Sequence, residues 1–401
     1  MAVREIVEGV YAVGAADWDR RLFDSLIPLP DGTSYNSYLV RGSQATALID
    51  AVDPTMVHVL LDNLAQLNVT RLDYLVANHA EQDHSGGIPA VMDRFPAAKV
   101  VCTPKCADML ASLIHLSQED VVQVEDGGAL SLGDRTLEFL HAPWVHWPET
   151  MLTYLREDRI LFPCDLFGSH LATSNLYATD RCRVSEAAKR YYAEIMMPFA
   201  RNIARHLQRL ESYALDVIAP SHGPAYDEPS FIVDLYRDWV LSEPQNQAVV
   251  AYVTMHDSTR LLTQRLVSAL VERGVAVQQF DLTASDLGKL AMALVDAATV
   301  LIGTPTVLAG PHPAAVYAAT LVNALRPKVK FLGVYGSYGW GTRVDQQIPS
   351  MCGNLKAETL EPVLVKGRPR EEDLRAMDAL ADRVLESHQR AGLVAAEAVE
   401  R

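Results

Sequence analysis

Tyr74-Leu75-Val76-Ala77-Asn78-His79-Ala80-Glu81-Gln82-Asp83-His84-Ser85-Gly86-Gly87 is a short apolar run that ends in four metal-competent side chains within six residues. Tyr74 to Ala77 reads as a strand, an apolar β-rich run bounded by polar residues. His79, Glu81, Asp83 and His84 then sit at its C-terminal end. Burying such groups unpaired costs several kcal/mol each, so they need partners or a metal. Gly86-Gly87 lets the chain turn tightly past them.

Three more residues occupy the same position, each just beyond an apolar run. They are His146 in Val145-His146-Trp147-Pro148, Asp165 in Phe162-Pro163-Cys164-Asp165, and His222 in Ala219-Pro220-Ser221-His222-Gly223. A single His or Asp after a strand is ordinarily a cap or a surface residue, and His58, His115, His206 and His388 read that way. Seven such residues sharing one placement read as a metal site built from loops at one end of a sheet.

The rest of the first half supplies that sheet. Short β-rich runs recur at Tyr38-Leu39-Val40, Ala47-Leu48-Ile49, Val100-Val101-Cys102, Leu137-Glu138-Phe139-Leu140, Ile160-Leu161-Phe162 and Val217-Ile218-Ala219. Helical patterns over 54–67 and 187–211 intervene. Strands paired first in hairpins and then covered by helices predict a sandwich with helical layers outside.

The polar stretch Ser242-Glu243-Pro244-Gln245-Asn246 is the linker, giving domains over 1–243 and 246–401. Beyond it strand and helix alternate: strands at 248–253, 276–282, 299–302, 331–334 and 360–365, helices at 259–273, 284–297, 314–325 and 371–391, with one more helix before the last strand. That alternation predicts a doubly wound parallel sheet.

Three loops of this second domain suit a flat, phosphorylated ligand. Thr254-Met255-His256-Asp257-Ser258-Thr259 opens a helix with hydroxyls and free N–H groups, which suits a phosphate monoester. Gly303-Thr304-Pro305-Thr306 and Tyr335-Gly336-Ser337-Tyr338-Gly339-Trp340-Gly341 follow the third and fourth strands, where ligands of open sheets sit. Their glycines admit a ring close to the backbone, and Tyr338 or Trp340 can stack on it. A GxGxxG dinucleotide fingerprint is absent.

Composition narrows the function classes. With 35 basic and 50 acidic residues the net charge is -15, which repels nucleic acid. No apolar run reaches the roughly 18 residues of a membrane helix, and the first residues do not read as a signal peptide. Cys102, Cys106, Cys164, Cys182 and Cys352 form neither a CxxC pair nor a disulfide framework, so a cytoplasmic setting is expected. Cys164 reads as a packed thiol.

The block His79-x-Glu81-x-Asp83-His84, with its distant His, Asp and His, is similar to the metallo-β-lactamase fold. Glu81, together with the His146-Trp147-Pro148 loop and the Gly-Ser-Tyr-Gly-Trp-Gly run, resembles the flavodiiron proteins over nearly the whole chain. The resemblance implies an α/β protein: an αββα metallo-β-lactamase-like sandwich followed by a flavodoxin-like doubly wound sheet.

It implies one iron on His79, Glu81 and His146, a second on Asp83, His84 and His222, and Asp165 bridging them. Trp147, His170, Tyr191 and Tyr192 would surround these ligands. FMN would lie against Thr254, Met255, His256, Asp257, Ser258, Thr259, Thr304, Pro305, Thr306, Ser337, Tyr338, Gly339, Trp340 and Gly341.

The activity implied is reduction of dioxygen to water, of nitric oxide to nitrous oxide, or both. Electrons would come from a separate rubredoxin or a reduced deazaflavin. A head-to-tail homodimer, or a dimer of such dimers, would bring the FMN of one subunit to the irons of another; neither nucleic acid nor membrane is an expected partner. The sequence departs from the family pattern at Asp24, at His256 and over 307–313. Two other readings stand beside this one: a two-zinc hydrolase carrying a flavodoxin passenger, and a non-catalytic electron carrier. Glu81 argues against the hydrolase, since a carboxylate in place of imidazole makes a harder, more anionic site suited to ferric iron.

Overall fold

Period-two alternation decides what each face of the first strands covers. A computed structural model describes residues 3–394, so the outermost ends of both expected domains lie outside the described residues. Tyr38, Val40, Ala47, Ile49, Val76 and Val101 point inward and pack with Leu137, Phe139, Met151, Leu155, Ile160 and Phe162. Their neighbours Leu39, Leu48, Leu75 and Val100 point the other way, onto Leu60, Leu64, Val91 and Leu110 of three helices. These are Val57–Gln66, Ile88–Arg94 and Pro104–Leu113.

The inward set fills the space between two sheets. One has seven strands in the order Arg4–Val7, Val10–Ala12, Tyr38–Arg41, Thr46–Ile49, Tyr74–Val76, Lys99–Cys102 and Val121–Gln123. Its pairing is antiparallel up to Thr46–Ile49 and parallel beyond. The other has five, in the order Ala129–Ser131, Thr136–His141, Met151–Leu155, Ile160–Phe162 and Val217–Ile218. Helices Arg181–Tyr191, Ala200–Leu210 and Pro229–Leu241 complete the αββα sandwich.

The helix expected over 187–211 is broken. Helix Arg181–Tyr191 passes into a π turn over Tyr192–Met196 and a 3-10 turn over Met197–Phe199 before Ala200–Leu210 resumes. Pro198 is the physical cause: it has no N–H to donate and crowds the preceding turn.

The second half forms a parallel sheet in the order Ala276–Asp281, Gln245–Tyr252, Ala297–Val307, Phe331–Tyr338, with Val363–Lys366 and the short Glu358–Thr359 both on Phe331–Tyr338. Counting the five main strands along the chain, the order is 2-1-3-4-5, the flavodoxin-like arrangement. Ala248, Val250, Leu262, Leu266, Leu301, Leu380 and Val384 are part of its core.

By internal contacts the chain divides into Met1–Tyr192 with Phe199–Leu241, and Ser242–Arg401 with Ala193–Pro198. Gln245 and Asn246, expected in the linker, already belong to strand Gln245–Tyr252. Helix 284–297 is shorter than expected, Leu287–Leu294, because the Asp286 carboxylate accepts from the Gly288 N–H and caps it there.

Candidate metal centre and flavin pocket

The end of strand Tyr74–Val76 is held by a buried carboxylate. Asp50 accepts the Asn78 backbone N–H at 2.8 Å and its side-chain amide at 2.9 Å. His79 follows at once, Glu81 stands at the start of the short helix Gln82–Ser85 without capping it through its side chain, and Asp83 and His84 lie on it. Gly86 is needed for close approach, not for a special dihedral: a Cβ there would lie 2.5 Å from the Gln82 carbonyl and 2.6 Å from Pro54 Cγ.

The seven sequence-predicted residues converge. His79, Glu81, His146 and Asp165 offer ligand atoms within 4.8 Å of one another, and so do Asp83, His84 and His222. Asp165 lies between the two groups and divides its oxygens. Oδ2 faces His79 Nε2 and His146 Nε2, each at 3.5 Å, while Oδ1 faces His84 Nε2 at 3.2 Å and His222 Nε2 at 3.3 Å. Glu81 Oε2 is 3.1 Å from His79 Nε2 and 3.2 Å from His146 Nε2. Asp83 reaches His222 Nε2 at 3.1 Å and His84 Nε2 at 3.3 Å.

The donor set fits metal ions. Both oxygens of Asp83 and Oδ2 of Asp165 are buried without a hydrogen-bond partner, a costly state that a cation would relieve. Burial opposes the charged form of every imidazole here, yet surrounding carboxylates win. Proton affinity is raised at His84 and His146, well raised at His79, and raised to about 10 at His222. Burial likewise opposes ionisation of Glu81 and Asp165, and the imidazoles overcome it. Such a cluster attracts a proton or, equally, a divalent ion.

Two histidines have their outer nitrogens fixed. His79 Nδ1 donates to Glu149 Oε1 at 2.6 Å, and His222 Nδ1 donates to the Ser34 carbonyl at 2.6 Å. Each bond sets the tautomer that leaves Nε2 free to bind metal. Sequence reasoning missed both partners. Glu149 carried a signal, being a carboxylate three residues after a ligand; Ser34 acts through its backbone and carried none.

Of the expected surrounding residues, three touch the candidate ligands. The Tyr191 hydroxyl donates to Asp165 Oδ1 at 2.8 Å. The Trp147 ring stands edge-on to His79 at 5.0 Å, and the His170 ring lies 5.0 Å from that of His222. Tyr192 instead packs against Tyr236 and Trp239, with its hydroxyl towards the Trp239 carbonyl. It serves the helical layer. Burial, then Asp165, holds the Cys164 thiol well above its usual proton affinity, so it packs as a neutral thiol. Asp24, the departure from the family pattern, has its carboxyl raised by burial and by the nearby charges of Glu81 and Asp83.

In the second unit a pocket of about 360 Å³ opens at the sheet's switch point. It is lined by Thr254, Met255, His256, Ser258, Thr259, Pro305, Thr306, Ser337, Tyr338 and Gly339 of the expected set, and by Gly367 and Arg368, which sequence reasoning missed. Asp257, Thr304, Trp340 and Gly341 fall outside that lining. Asp257 adopts a left-handed conformation and pairs with Arg260 at 2.6 Å. Thr304 accepts the His312 N–H, and Trp340 is 78% exposed.

The pocket fits a phosphate monoester. Helix Ser258–Glu272 has no side-chain cap, which leaves its first N–H groups for an anion. The Thr254 hydroxyl is buried without a hydrogen-bond partner. Gly336 is required where strands crowd, since a Cβ would run into the Thr304 carbonyl.

Residues 33–223 match the family model described as ODP family beta lactamase. A nitric oxide reductase of Moorella thermoacetica is 37% identical over 92% of this chain and 95% of its own. Among solved structures, the rubredoxin oxygen:oxidoreductase of Desulfovibrio gigas superposes with a TM-score of 0.94 at 28% identity, over 98% of this chain and all of that one. The flavodiiron protein of Giardia intestinalis gives 0.91 at 27% identity, over 97% and 98%.

Proposed function

The chain belongs to the flavodiiron protein family, and from that premise we propose that it reduces dioxygen, nitric oxide or both, passing electrons through FMN to a pair of irons. One observation carries the reading: Asp165 shares its two oxygens between two triads, one of which holds Glu81 where a hydrolase would have imidazole. When bound, FMN supplies one- and two-electron storage, and two irons supply a place to hold a small diatomic.

The chain's own residues prepare that chemistry. Glu149 and the Ser34 carbonyl fix which nitrogen His79 and His222 present. Tyr191 holds Asp165 by a hydrogen bond, and Trp147 walls one side of His79. The hydroxyls of Thr254, Ser258 and Thr259 and the uncapped helix would hold a flavin phosphate. Electrons come from a separate donor, a rubredoxin or a reduced deazaflavin.

We place the enzyme in the cytoplasm; among the described residues no helix is long and apolar enough to cross a membrane. We also propose a head-to-tail homodimer, alone or paired into a dimer of dimers. Exposed apolar residues rim both sites: Leu22 and Leu26 on the hairpin carrying Asp24, Trp144 before His146, and Met255, Leu308 and Trp340 beside the flavin pocket.

Metal and flavin analysis of protein purified from anaerobically grown cells tests the reading. Two irons and one FMN per chain are expected. Two zincs and no iron would restore the hydrolase.

A further inference from the structure

The two halves of the metal centre carry the same kinds of ligand but different surroundings. His79 donates its outer N–H to a carboxylate, Glu149, whereas His222 donates to a neutral backbone carbonyl. Glu149 is only 2% exposed and also accepts the Ala80 N–H at 3.0 Å, so its Oε1 is pinned against His79. A carboxylate behind an imidazole raises its basicity as a ligand. The His79 side is therefore the more electron-rich.

A second, independent contact acts in the same direction from the other side. Tyr191 donates to Asp165 Oδ1, the oxygen that faces His84 and His222. Asp165 Oδ2, which faces His79 and His146, has no hydrogen-bond partner. A donated hydrogen bond withdraws density from the oxygen that accepts it, so the bridging carboxylate gives less to the His84/His222 side.

We propose that Glu149 and Tyr191 make the centre electronically unequal, so that an iron held by His79, Glu81 and His146 would have the lower reduction potential of the two. Neither residue is a ligand; both act through one, as positioning residues. The inference rests on the di-iron reading and deepens it. That inequality would give a half-oxidised centre one preferred arrangement, with the higher charge on the side that Glu149 backs.

The test is a redox titration of the iron-loaded, FMN-containing protein, following the half-oxidised centre by electron paramagnetic resonance. Iron content is measured on the same samples. Glu149→Gln keeps the size of the side chain but removes its charge, and Tyr191→Phe removes only the donated bond. With two irons retained, Glu149→Gln raises the lower of the two iron potentials and leaves the upper in place. Tyr191→Phe lowers the upper potential and leaves the lower in place. Each reduces the equilibrium constant for forming the half-oxidised centre about tenfold, which for a one-electron couple is about 59 mV of lost separation. A purely structural role predicts iron loss without these opposite shifts. If both variants hold two irons with unchanged potentials, or shift both couples alike, the proposal is wrong. Should Glu149→Gln lose iron, Tyr191→Phe decides alone. A wild-type protein without iron would overturn the di-iron reading itself.

Discussion

At the scale of single residues, Glu81 separates this centre from a hydrolytic one. It is largely buried, and its carboxylate faces both His79 and His146. Replacing it with imidazole removes a hard anionic donor and moves that half of the site towards zinc. Glu81→His is therefore expected to take up zinc in preference to iron and to lose gas reduction at least a hundredfold, while FMN stays bound. Metal analysis and flavin absorbance on one sample check both halves, and full turnover in the variant would rule the role out. The convergence of all seven candidate ligands was legible in the sequence because each lies beyond a strand and is itself titratable. What supports them was less so. Glu149 lies in plain view after His146, but nothing in one dimension says that it reaches back to His79. Ser34 acts through a carbonyl that every residue possesses. Gly367 and Arg368 join the flavin pocket only because strand Val363–Lys366 pairs with Phe331–Tyr338 and the Gly367 N–H meets the Tyr338 carbonyl.

At the scale of elements, the strand runs read in the first domain are all present, but Arg4–Val7, Val10–Ala12, Val121–Gln123, Ala129–Ser131 and Met151–Leu155 of its two sheets were missed. The first four are so short, and burial on both faces leaves the last no alternation. Breaks in helices were read least well. Pro198 lay in the sequence, yet the apolar spacing on both sides suggested one continuous helix across it. In the second unit one junction between elements carries a measurable consequence. His388, near the end of helix Glu371–Arg390, donates Nδ1–H to Asn246 Oδ1 at 2.7 Å and accepts from Thr299 at Nε2, 2.6 Å away. The Asn246 amide nitrogen donates to the Gly274 carbonyl, which fixes its oxygen as the acceptor. The ring is thus held neutral, and burial lowers its proton affinity to about 4. An unfolded chain takes up the proton near pH 6.5. The folded state therefore enjoys this contribution in full above that pH and loses it as pH falls towards 4, on the order of 2–3 kcal/mol. His388→Gln cannot titrate, so denaturant unfolding followed by circular dichroism should show a smaller loss of stability between pH 7 and pH 5 than the wild type. Equal losses in the two proteins would show that His388 is not the group responsible.

At the scale of the whole molecule, the proposed reaction requires electrons to pass from a flavin held by one unit to metals held by the other. The linker of Ser242-Glu243-Pro244 between helix Pro229–Leu241 and strand Gln245–Tyr252 is short. The proposed twofold head-to-tail pair would build two composite sites at once. Subunits disabled at iron (His84→Asn with Asp165→Asn) mixed with subunits disabled at FMN (Ser258→Glu with Thr259→Glu) should therefore recover part of the activity that neither shows alone. Mixed dimers that form but stay inactive would refute transfer between subunits. The central claim is the reaction itself. It is tested most directly by giving the holoprotein one chemical electron donor in an anaerobic vessel, adding dioxygen or nitric oxide, and recording gas and electrons consumed. The account predicts four electrons per dioxygen with water as product, or one electron per nitric oxide with nitrous oxide as product, for at least one of the two gases. Protein holding two irons and one FMN per chain that consumes neither gas would contradict it.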